Sequence, residues 1–130
     1  MRSLLQNHPY KLTLLWALVI FGLCSMPGHL IPSATWLEVL SFDKWVHAGI
    51  FFVLVSLAAL AVKKHGQASH LVVVYGLLGM AYGALLEFMQ ATVFVERSAD
   101  WQDMVANAFG CLMALVFHRK VTRLVFREAK

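Results

Sequence analysis

Long apolar runs separated by short polar breaks dominate the chain. They cover Leu12–Met26, Trp45–Val62, Leu71–Ala91 and Trp101–His118. A helix rises about 1.5 Å per residue and the hydrocarbon core of a bilayer is about 30 Å thick, so a span takes about 20 residues. The second, third and fourth runs meet that length. Each is apolar all round rather than along one stripe, as expected of helices buried in protein or lipid. The first run is shorter and stops at Met26-Pro27-Gly28, a strong breaker. Arg2 and Lys11 precede it, as in a signal peptide. It has no convincing small-residue cleavage site, and Leu23 stands just before Cys24 where a lipoprotein signal needs a small residue. The expectation is a retained helix and an all-α, polytopic membrane four-helix bundle, a single domain over residues 1–130.

Composition agrees. Of 130 residues, 60% are hydrophobic and 14% charged, and the mean hydropathy is +0.70. Soluble domains run about 45–50% apolar and about 25% charged. A freely soluble globule, a disordered chain and a basic nucleic-acid-binding domain are all excluded. Cys24 and Cys111 both lie inside apolar runs, where cysteine behaves as a small hydrophobe, and they indicate neither a disulfide nor a redox or metal site.

The net charge of +4 is a topology signal. Lys and Arg concentrate at Arg2 and Lys11, at Lys63 and Lys64, and at Arg119, Lys120, Arg123, Arg127 and Lys130. The other two connections carry Glu38, Asp43, Glu96 and Asp100 against Lys44 and Arg97. The positive-inside rule then puts both termini in the cytoplasm of a cell whose inner membrane the chain crosses. Trp36, Trp45 and Trp101 fall at the outward ends, where indole rings favour the headgroup level. The basic tail is read as a contact with anionic lipid.

The remaining polar residues mark one depth. Asp43, Lys44 and His47 open the second span, Glu87 and Gln90 lie near the outward end of the third, and Arg97, Asp100, Asp103 and Asn107 lead into the fourth. Spacings of three and four residues put each group on one helix face. Ionisable groups in a membrane are costly unless paired, and normally point into the bundle or a wet cavity. Gly79-x-x-x-Gly83 continues at the same interval to Glu87, and Ala106, Gly110 and Ala114 repeat it, so these small faces pack inward.

Structural roles compete for the same residues. Asp43 suits a helix N-cap, Glu87 and Arg97 suit an ion pair, and Asp100 suits a cap with Asp103 in the following turn. Asn107 suits an interhelical hydrogen bond. His47, a turn inside its helix, has less structural excuse and is read as a proton shuttle, phosphate donor or ligand. The candidate catalytic residues are His47, Glu87 and Asp103. The candidate ligand-binding residues are Asp43, Lys44, Gln90, Arg97 and Asn107. A metal version ranks lower: Asp43, His47, Glu87 and Asp103 are hard or borderline ligands, but no tight ligand spacing marks a metal site, and no metal or other cofactor is assigned.

The runs Asp43-Lys44-Trp45-Val46-His47, Glu87-Phe88-Met89-Gln90, Arg97-Ser98 and Asp103-Met104-Val105-Ala106-Asn107-Ala108-Phe109-Gly110 resemble the VanZ-like family of small bacterial membrane proteins. The resemblance covers roughly Asp43 to Phe117. It departs at Phe51, where the family often has Tyr, and at Val95-Glu96, where Pro-Gly is common. It implies a membrane protein linked, in the founding member, to low-level resistance to the glycopeptide teicoplanin, and it names no reaction. The expected function is binding or acting on a lipid-linked, phosphorylated cell-envelope component at the outer leaflet. Lys44 and Arg97 would hold the phosphate, and His47 with Glu87 or Asp103 would move protons. The alternative is a non-catalytic membrane subunit whose ion pairs lock the bundle or dock a partner protein. Transport would need a polar path through the cytoplasmic half, which the helices lack.

Overall fold

A computed structural model describes residues 2–30 and 42–126, and among these the protein is all-helical. Trp36, Glu38, Arg127 and Lys130 lie outside the described residues. The helices are α1 (Arg2–Asn7), α2 (Pro9–Ser25), α3 (Phe42–Lys64), α4 (His70–Thr92) and α5 (Trp101–Phe126), with a 3₁₀ turn at Gly28–Leu30. Three of them, α3, α4 and α5, are long and apolar enough to cross a membrane; α2 is apolar but shorter.

Local chemistry explains the breaks. Pro9 opens α2, where a fixed φ helps and no N–H is needed. His8 links α1 to α2 through His8 N to Leu4 O and Leu12 N to His8 O, both 3.0 Å. At the end of α3, Gly66 takes φ +60°, Gln67 N donates to Val62 O at 3.0 Å and Gly66 N to Lys63 O at 3.3 Å. That pairing closes a helix through a left-handed residue, and glycine takes the conformation without strain. Lys63 and Lys64 in the same turn complement the helix dipole. Asp100 Oδ1 accepts from Gln102 N at 2.8 Å and so caps α5.

The helices run past the apolar stretches. The stretch 45–62 becomes a helix from Phe42 to Lys64, and 101–118 becomes one from Trp101 to Phe126. Hydropathy falls where the chain turns basic, yet Arg, Lys and Leu remain good helix formers. At 26 residues, α5 is about 39 Å long. Its basic last turns therefore extend beyond a core about 30 Å thick.

The packing centre is α3, which buries Phe51 and every residue from Leu54 to Val62. It lies against α2, α4 and α5. A core of Ile20, Cys24, Phe51, Leu54, Val55, Leu86, Cys111 and Ala114 joins all four. The other helices present large apolar side chains outward, among them Leu14, Leu18, Leu77, Leu78, Phe88, Phe109 and Val116. Apolar surface on this scale is matched by a lipid solvent.

Small residues let the backbones meet. A Cβ on Gly110 would strike the Ala48 carbonyl of α3, with the Ala48 Cα only 3.0 Å away. A Cβ on Gly83 would lie 3.0 Å from Asn107 Cβ and 3.3 Å from Phe51 Cε1. One on Gly79 would lie 3.0 Å from Cys111 Sγ. Both small-residue faces therefore point inward, and they bring the ends of α3, α4 and α5 together where the polar residues sit.

Candidate functional site

The site lies at the end of the molecule formed by the start of α3, the end of α4 and the start of α5. Lys44 Nζ is its hub. It reaches Asp43 Oδ2 at 2.8 Å and Asp100 Oδ2 at 2.5 Å, and it also bonds Asp103 Oδ1. One ammonium is thus shared by three carboxylates. The Lys44 hydrogen bond, helped by the Gln102 N–H, holds the Asp100 carboxyl below its ordinary value.

His47 is one turn deeper. Its Nδ1 lies 3.0 Å from Asn107 Oδ1, and its Nε2 lies 3.5 Å from Asp103 Oδ2. An amide oxygen only accepts, so Nδ1 carries the hydrogen in that contact. In the neutral ring, Nε2 then turns a lone pair toward a carboxylate. Asn107 is 2% exposed and is held against α4 by the absence of a side chain at Gly83.

Glu87 enters from α4 and is 5% exposed. Its Oε2 accepts from Asp100 N at 3.0 Å, tying the connection before α5 to the end of α4. His47, Glu87 and Asp103 each offer one ligand atom within 4.8 Å of the other two. Asp43, Asp100 and Asp103 do the same nearer the surface. Glu87 makes no ion pair among the described residues, so the competing structural role, a pair with Arg97, is not formed.

Asp43, Lys44, His47, Glu87, Asp103 and Asn107 therefore belong to one constellation. Gln90 lies apart, donating from Nε2 to the Cys24 carbonyl of α2 at 3.2 Å. Its Oε1, like Arg97 Nε, is buried without a hydrogen-bond partner among the described residues. Asp100, weighed in the sequence as a cap, is both cap and Lys44 partner. Its position three residues before Asp103 was the available signal.

Two contacts outside the sequence reading frame this end. Glu96 adopts φ 54°, a conformation that side chains rarely take. It is held by His29, whose Nδ1 and backbone N lie 2.5 Å and 3.3 Å from Glu96 Oε2. Gly28 makes room for the Glu96 carbonyl. Beside Lys44, a groove of about 280 Å³ runs between α3 and α5, lined by Trp45, Ala48, Gln102, Val105, Ala106 and Phe109.

Chemically, the arrangement offers an imidazole and two carboxylates for proton transfer or for holding a cation. Asp43, Asp100 and Asp103 share the Lys44 ammonium, while Glu87 pairs with no cation among the described residues. No protein-family model, no curated protein and no solved structure matches the chain.

Proposed function

We propose that the chain is a VanZ-like integral membrane protein of the bacterial cytoplasmic membrane. It crosses four times with both termini inside, and its polar site engages a lipid-linked, phosphorylated envelope component from the outer leaflet. The observation that carries this reading is the convergence of His47, Glu87 and Asp103 from three helices at one buried end.

Charge supports the orientation. Lys63, Arg119 and Arg123 line a cavity of about 510 Å³ at the opposite end from the carboxylates. Basic residues collect on the cytoplasmic side of membrane proteins and contact anionic headgroups there. The fourth crossing is α2: its 17 residues reach about 26 Å, it buries Ile20 and Cys24 in the shared core, and it turns Leu14, Leu18 and Leu23 outward. Glu96 supports the resemblance, because it holds a left-handed conformation at the position where the family commonly has Gly.

In this reading the apolar groove beside Lys44 receives the lipid chain, and the phosphate meets Arg97, whose buried Nε is unpartnered among the described residues. Lys44 is already held by three carboxylates, so it joins the phosphate only by leaving one of them. His47 with Glu87 or Asp103 supplies general acid–base chemistry.

Lys44's saturation favours a second reading, a non-catalytic subunit in which the ion pairs only lock the helices. The test is Glu87→Gln and His47→Asn expressed in a bacterium, with teicoplanin susceptibility and the folded, membrane-inserted amount measured together. A functional site loses the protective effect at unchanged folded amount. Loss of folded amount in proportion to the phenotype would leave only the structural lock.

A further inference from the structure

We infer that His47, Glu87 and Asp103 form a binding site for one divalent first-row cation, of the Mn²⁺ or Zn²⁺ type, oriented by Asn107. The inference goes beyond the proposed function, since it concerns an ion bound by the chain alone, with or without a lipid.

Three observations meet here. The first is the donor set: an imidazole nitrogen and two carboxylates, all within 4.8 Å of one another, delivered by α3, α4 and α5. Nitrogen with carboxylate oxygen suits Mn²⁺ and Zn²⁺. Ligands bonded at about 2.0–2.2 Å to one ion stand roughly 3.0–3.5 Å apart when adjacent. The separation of His47 Nε2 and Asp103 Oδ2 is 3.5 Å.

The second is the orientation of His47. Ligating histidines almost always give their other ring N–H to an oxygen acceptor, which fixes the tautomer. Asn107 Oδ1, 3.0 Å from Nδ1, is that acceptor. With the ring neutral, its Nε2 lone pair faces a carboxylate, and a cation between them turns that repulsion into two bonds.

The third is Glu87. It is 5% exposed and, among the described residues, accepts a single hydrogen bond, from Asp100 N. A carboxylate has about four acceptor positions, and no cation among the described residues pairs with this one. One of its oxygens lies within 4.8 Å of ligand atoms of His47 and Asp103. Lys44 bonds the other oxygen of Asp103 and is shared with Asp43 and Asp100, and it does not reach Glu87. A bound cation neutralises what Lys44 leaves.

The test uses the full chain purified in detergent micelles and stripped of metal, titrated with Mn²⁺ and followed by electron paramagnetic resonance, with Zn²⁺ as competitor. One Mn²⁺ per chain is expected, displaced by Zn²⁺ and showing nitrogen-14 coupling from an imidazole. His47→Gln should remove that coupling and weaken binding at least tenfold, and Glu87→Gln should weaken it similarly. Asn107→Ala should weaken it by about tenfold, as loss of an orienting partner does. His29→Gln should retain the coupling, and Asp43→Asn should retain the affinity. No bound ion at millimolar metal, or an ion lacking nitrogen coupling, overturns the inference on the unmodified chain, whether or not a variant folds. An affinity that follows Asp43→Asn instead of Glu87→Gln also overturns it.

Discussion

Among the described residues two groups can be told apart: the three carboxylates that Lys44 ties together, and the pair that His47 faces, Asn107 and Asp103. Asp100 belongs to the first group. Its carboxyl is held below the ordinary value of 3.8 by the Lys44 hydrogen bond. A depressed carboxyl contributes stability that is fully present above its unfolded value and is lost as pH falls through the folded one. Asp100→Asn keeps a capping side chain but removes the charge. The gap in melting temperature between the unmodified chain and this variant, measured in micelles, should stay constant from pH 7 to 5 and close below about pH 4. A gap that closes between pH 7 and 5 would mean that Asp100 is not held by Lys44.

At this scale the sequence showed which polar residues share a helix face more readily than what each face meets. Spacings of three and four residues put Asp43 with His47, and Asp103 with Asn107, on single faces, and the structure brings those faces together. The same rule is silent about what a face meets across the bundle. Gln90 turned toward the Cys24 carbonyl, and the Glu87–Arg97 pair did not form. The low weight given to a metal rested on linear spacing, whereas the His47–Glu87–Asp103 set is assembled from three helices.

Glycines decide how closely the helices approach. Gly110 meets the Ala48 backbone, which cannot move aside as a side-chain tip can. Gly110→Val should cost at least the 1–3 kcal/mol typical of overpacking, and it should pull the Asn107 face off His47. Gly22 faces open space on α2, so Gly22→Ala should be neutral or stabilising by up to about 1 kcal/mol through helix propensity. Thermal unfolding of both variants in micelles checks the contrast, and equal effects would contradict the α3–α5 crossing. The small-residue interval was readable in the sequence because i and i+4 share a face. The true helix ends were not, since apolar character stops before helical hydrogen bonding does. The cap at Asp100 was readable from its place before the fourth run, whereas the closure at Gly66 depends on a backbone angle that composition does not encode.

For the whole molecule, the membrane assignment follows from arithmetic that the structure repeats: α3, α4 and α5 have spanning length and apolar outer surfaces. Orientation rests on where lysine and arginine fall. A cysteine placed at Val95, between α4 and α5, should react with a membrane-impermeant maleimide added to intact cells, while one at Gly66 should react only after lysis. The reverse pattern would invert the proposed topology and turn the His47–Glu87–Asp103 site to the cytoplasm.

The central claim is that this cluster faces outward and meets a phosphorylated lipid headgroup. It is tested most directly by an experimental structure of the chain in lipid nanodiscs containing a polyprenyl diphosphate. The account expects headgroup density beside Arg97 and the His47–Glu87–Asp103 cluster, with the chain in the groove along Trp45 and Phe109. A dry, closed network around Lys44 with the diphosphate excluded would contradict it.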